Sequence, residues 1–175
     1  MIRKTPLITS VLLAAASVIQ AQNTTTISVT VAPEASLTVT TGTSSLATSG
    51  TNFATPYTGT TSFTYQIRTT KTGGSGAITA KVTADFGGTG GPSVGTPPSS
   101  GDALTYTCTV SSPGTACTGS PTASTSAQTS VATFGAGANS TRAGNSGSVQ
   151  WSLTDDPAYT TGSYSATVTF TISAT

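Results

Sequence analysis

The chain has 175 residues, and only 6% of them are charged, against about 25% in an average soluble domain. Histidine is absent, and six Lys or Arg face five Asp or Glu. That composition excludes imidazole-based catalysis, zinc sites built on His, and a clustered basic face for nucleic acid. Thr (41), Ser (25) and Gly (19) together make up nearly half of the chain, and all three are poor helix formers.

Met1-Ile2-Arg3-Lys4 opens the chain with its tightest positive cluster, and an apolar stretch from Leu7 to Ile19 follows. The pattern is that of a signal peptide, and the stretch is too short to span a bilayer. Cleavage is expected after Ala21, leaving residues 22–175 as a single domain. That domain carries Arg68, Lys71, Lys81 and Arg142 against Glu34, Asp85, Asp102, Asp155 and Asp156, a net charge of −1. No later segment reaches membrane-spanning length. The sequence thus predicts an exported protein, extracellular, cell-surface or periplasmic, with no membrane span.

From Thr26 onward apolar and polar residues alternate, the signature of antiparallel strands with one buried and one wet face. Ile27, Val29 and Val31 share the first such face. Pro33 interrupts, and Leu37 and Val39 resume the pattern. Phe63, Tyr65 and Ile67 form the next face, then Ile78, Ala80, Val82 and Ala84, then Leu104, Tyr106, Cys108 and Val110. Val149, Trp151 and Leu153 follow, with Trp151 in phase with the core. A last strand is expected over Tyr164–Ile172. Three long connections are expected as loops: Thr41–Thr61, with Phe53 and Tyr57 as anchors; Gly87–Gly101, read as mobile; and Gly119–Ser130. Arg68, Lys71 and Lys81 are read as one hairpin. These features predict an all-β fold, an antiparallel immunoglobulin-like β-sandwich of about seven to nine strands.

Cys108 and Cys117 flank a turn on Ser111-Ser112-Pro113-Gly114, and two Cys in an exported chain are most simply paired as a structural disulfide. Asp155 and Asp156 are the sole adjacent carboxylates. Neighbours in an extended segment point in opposite directions, so they read as turn residues before Pro157. Calcium held by them and by backbone carbonyls is the alternative, and no metal site or cofactor is assigned. No base is placed to activate a Ser or Thr nucleophile, so no catalytic residue and no enzyme activity is expected. Tyr57 and Tyr159 fall in turn-like segments and are the candidate ligand contacts.

The segments Thr26–Val31 and Tyr164–Ile172 carry no charge, whereas sheet edges are usually guarded by Lys, Pro or inward charges. Thr26–Val31 reads either as the first strand of its own sandwich or as a segment donated to another chain, with Ile27, Val29 and Val31 as the donated residues. The ending Gly162-Ser163-Tyr164-Ser165-Ala166-Thr167-Val168 resembles the Gly-x-Tyr-x-x-x-Val finishing strand of bacterial exported sandwich domains. Among these are the spore coat protein U-like secreted pilin subunits, whose pattern also carries a Cys near the mature N-terminus that this chain lacks. The resemblance implies a fibre- or coat-forming subunit with no active site. The sequence therefore points to an exported structural or adhesive surface subunit, partnered by its own copies or by related surface subunits. The alternative is a non-catalytic module binding polysaccharide or matrix.

Overall fold

The computed structural model describes residues 23–175; the expected leader, residues 1–21, lies outside them. The chain divides into two units between Thr30 and Val31. In the first, residues 23–30 carry no strand, so the alternation of Thr26–Val31 does not produce the expected ladder.

The second unit is all-β, with no helix among the described residues. Its strands are β1 (Glu34–Val39), β2 (Tyr57–Arg68), β3 (Gly76–Ala84), β4 (Leu104–Val110), β5 (Thr115–Ala116), β6 (Thr129–Phe134), β7 (Asn145–Leu153) and β8 (Thr167–Ala174). They form two four-stranded antiparallel sheets, ordered β1-β2-β7-β4 and β5-β6-β3-β8. The sheets enclose one core. Phe63, Tyr65, Ile67, Tyr106, Val149, Trp151 and Leu153 contribute from the first sheet, and Ile78, Ala80, Val82, Val131 and Phe134 from the second. The outward positions are largely Thr and Ser, whose branched or short side chains suit a pleat that meets water.

Trp151 takes the buried place its phase predicts, with its Nε1 donating to Thr61 Oγ1 at 2.9 Å. Other expectations change. Tyr57 is the first residue of β2, opposite Leu153, and does not lie in a turn. Phe53 is 57% exposed and anchors nothing. Arg68 and Lys81 stand on β2 and β3, which belong to different sheets, so no hairpin joins them. The last strand begins at Thr167 rather than Tyr164. Its pairing with β3 becomes irregular between Val82 and Ala84. Tyr164 instead folds its ring onto Gly91, where any Cβ would collide with it, and donates its hydroxyl to Thr160 C=O at 2.8 Å.

The Gly87–Gly101 connection is pinned, not loose. One carboxylate, Asp85, accepts hydrogen bonds from the N–H groups of Phe86 and Val94 (both 2.8 Å) and Gly95 (2.9 Å), and from Ser93 Oγ (2.7 Å). Burial alone would raise the Asp85 carboxyl, but these four donors more than offset it and hold the group below the ordinary carboxylate range. Asp85→Ala leaves the loop donors without their acceptor and is expected to cost about 1.5–2.5 kcal/mol at pH 7. A depressed carboxyl contributes stability that is fully present above the unfolded value of about 3.9 and is lost as pH falls through the lower folded value. Denaturant titrations should therefore show a gap between wild type and Asp85→Ala that is widest near neutrality and narrows below about pH 3.

Candidate functional site

The two margins of the sandwich differ. At one, β4 and β5 come together although they belong to different sheets. Cys108 on β4 is bonded to Cys117 just beyond β5, with Cα atoms 5.5 Å apart, so the expected disulfide links one sheet to the other. The turn between them is closed by Gly114 N–H donating to Ser111 C=O at 3.1 Å. From the first sheet, the Tyr65 hydroxyl donates to Ser111 C=O and accepts from Gly114 N–H. This margin is shut.

At the other margin β1 faces β8. No disulfide or side-chain hydrogen bond joins these two strands among the described residues. One strand further in, Phe63, Tyr65, Ile78 and Val82 are at most 2% exposed. The inward residues of the margin itself, Leu37, Val168, Phe170 and Ile172, are only half-buried, and Val39 is 40% exposed. In the ladders β1 pairs with β2 alone and β8 with β3 alone, so each offers one row of main-chain N–H and C=O groups to a further strand. Strand β8, Thr-Val-Thr-Phe-Thr-Ile-Ser-Ala, has no charge or Pro to discourage such pairing. This margin is open.

Residues 23–30 present Ile27 and Val29 at 91% and 84% exposure, and Val31 follows at 61%. The three are spaced two apart, on the order of 7 Å between successive side chains in extended backbone. Val168, Phe170 and Ile172 have the same spacing on β8.

A second cluster lies at one end of the sheets. Leu104, the first residue of β4, pairs with Leu153, the last of β7. Just beyond that rung, Thr154 N–H donates to Ala103 C=O and Ala103 N–H to Thr154 Oγ1, both at 3.4 Å. The pairing carries Asp102 and the Asp155–Asp156 step to the same place. Asp155 and Asp156 diverge, as neighbours on extended backbone must. Asp155 lies beside the Tyr57 hydroxyl, which burial and then that charge push up. Asp156 turns toward Asp102, Ser99 and Tyr159.

Burial, and then its neighbour Asp156, raise the Asp102 carboxyl. The Ser99 hydroxyl and the Ala158 N–H (2.7 Å) hold Asp156 down. Burial and then the Asp102 charge push the Tyr159 hydroxyl well above the usual tyrosine range. The two candidate ligand tyrosines thus stand on either side of one acidic step, both partly buried. Asp102 was legible only as a lone acid two residues before a strand; its importance comes from the β4–β7 register.

A shallow depression of about 360 Å³ lies over the ends of β1 and β2. Its one cation, Arg68, is already engaged by Glu34 at 3.1 Å and by Ala32 C=O at 2.8 Å. Compared with protein-family models, curated proteins and solved structures, the chain matches none.

Proposed function

We propose that this protein is an exported structural or adhesive subunit whose copies join by strand addition. In this reading Thr26–Val31 of one copy lies along the β8 edge of the next. Its Ile27, Val29 and Val31 cover the half-buried Val168, Phe170 and Ile172. The observation that carries the reading is the match between two uncharged segments of one chain: a two-spaced aliphatic trio with no strand of its own, and an unguarded edge with the same apolar spacing. Burying three branched side chains is worth about 5–9 kcal/mol before docking costs, and main-chain hydrogen bonds add to it. The disulfide suits an oxidising exterior, and the resemblance of residues 162–168 to the corresponding segment of secreted pilin subunits points the same way.

Size-exclusion chromatography and negative-stain microscopy of the exported protein should show multimers. Deleting residues 23–32 should give a folded monomer with an unchanged far-UV circular-dichroism spectrum. A synthetic peptide of residues 23–33 should bind that monomer and fail to bind its Phe170→Asp variant. A monomeric wild type, a deletion that assembles as before, or a deletion that cannot fold would each overturn the reading.

A further inference from the structure

We propose that the Asp102–Asp156 carboxyl pair is a Ca²⁺ site, with the unpartnered Oδ2 atoms of both carboxylates as its principal ligands and the Ser99 and Tyr159 hydroxyls at its margin.

Asp156 is 8% exposed, and its Oδ2 is buried without a hydrogen-bond partner. Asp102 Oδ2 is buried and unpartnered as well. Two such atoms in carboxyl groups that lie within reach of each other are unusual, because buried polar atoms are nearly always satisfied and an ionised carboxylate can only accept. No cation among the described residues compensates them. The groups acting on the pair are each other, Ser99, Tyr159 and backbone N–H donors, with no Lys or Arg among them. A water molecule can donate to one oxygen or bridge two, yet it leaves two like charges side by side. A divalent cation satisfies the oxygens and neutralises the charge together.

The donor set selects the metal. All the available atoms are oxygens, and the two Cys are consumed in the disulfide, so soft-metal chemistry has no ligand here. No group of three or more metal-type side chains converges among the described residues. Two carboxylates with hydroxyls, and water completing the shell, fit the flexible six- to eight-oxygen coordination of Ca²⁺. So few charges place the affinity in the weak class of extracellular modules, with a dissociation constant of about 0.1–1 mM. The carboxylates are also prepositioned. The Ala103–Thr154 hydrogen bonds fix the two backbones side by side, and Ala158 N–H fixes Asp156 Oδ1, so the Asp156 side chain cannot swing away cheaply. Bound metal would tie the β3–β4 connection to the β7–β8 connection. The site does not depend on how copies associate.

The test is thermal unfolding and isothermal calorimetry of the exported chain at pH 7, in EDTA and then across a CaCl₂ series to 10 mM. One equivalent of Ca²⁺ should bind, raising Tm by about 3–6 °C at tenfold saturation. Mg²⁺ should do so less. Asp102→Asn and Asp156→Asn, each folded by circular dichroism, should lose both signals. Terbium luminescence excited through Tyr159 should appear in wild type and be displaced by Ca²⁺. The proposal is overturned if calorimetry of the wild type shows no saturable binding. It is equally overturned if Ca²⁺ does nothing while acidification from pH 7 to 5 raises Tm through Asp102, since the pair would then share a proton instead.

Discussion

Replacing Trp151 with Ala is expected to remove about 3–5 kcal/mol of stability, the largest effect of any single change in this chain. The indole is 4% exposed and lies at the centre of the aromatic packing. Its ring centroid is 5.2 Å from that of Tyr106 in its own sheet and 6.4 Å from that of Phe170 on the facing one. Truncation therefore opens a cavity against both sheets at once. It also strips Thr61 Oγ1 of its indole donor; the Ser44 hydroxyl at 2.6 Å is the remaining partner of that atom. Domains of this size are stable by only about 5–15 kcal/mol, so the variant should sit near the edge of folding at 37 °C. Urea titration gives the number. Trp151→Phe, which retains most of the volume and loses the N–H, should recover more than half of it. Both Tyr106 and Phe170 stand on edge strands, but β4 is held by Cys108–Cys117 and β8 is not, so amide exchange in β8 should accelerate more than exchange in β4.

Reduction of Cys108–Cys117, or replacement of both by Ala, should cost about 2–3 kcal/mol, since the pair closes a short loop. The sequence separation of 9 sets the entropic part, but the location sets the phenotype. Strand β5 is two residues long and pairs only with β6, so the covalent link is its main attachment to the first sheet. The expected result is a Tm lowered by several degrees, with hydrogen exchange rising first at Thr115 and Ala116 and leaving the β2–β7 ladder protected. Equal loss of protection throughout would show that the bond acts on the unfolded chain alone.

The strands that were plain in the sequence are those with uninterrupted alternation of buried and exposed residues. Leu104–Val110 coincides with β4, and Val149, Trp151 and Leu153 mark the buried face of β7. Strand β6 was hidden by a bulge. Ser130 pairs with Thr79 and Ala132 with Ile78, so Val131 is an extra residue, and Val131 and Ala132 are both buried in succession. A period-two reading cannot register two inward neighbours. The first half of β2 was hidden for the opposite reason. Thr58, Gly59, Thr60 and Thr61 show no apolar face, and their strand character comes from pairing with β7. At the candidate sites, the disulfide followed from there being two Cys, and the uncharged β8 edge followed from the local absence of Lys, Arg, Asp and Glu. The approach of Asp102 to Asp156 depends on the register of β4 against β7, which no local pattern encodes.

Under the proposed strand addition, the contrast between a covalently shut margin and an open one has a consequence for growth. Donor segment and acceptor edge are different surfaces of one polypeptide, so joining them is a heterologous contact that need not close into a ring. A filament built this way has polarity. Its first subunit keeps a bare acceptor edge and its last an idle tail, and the bare edge is where misdirected association would begin. In that proposed assembly, orderly elongation calls for an initiating cap on the bare edge.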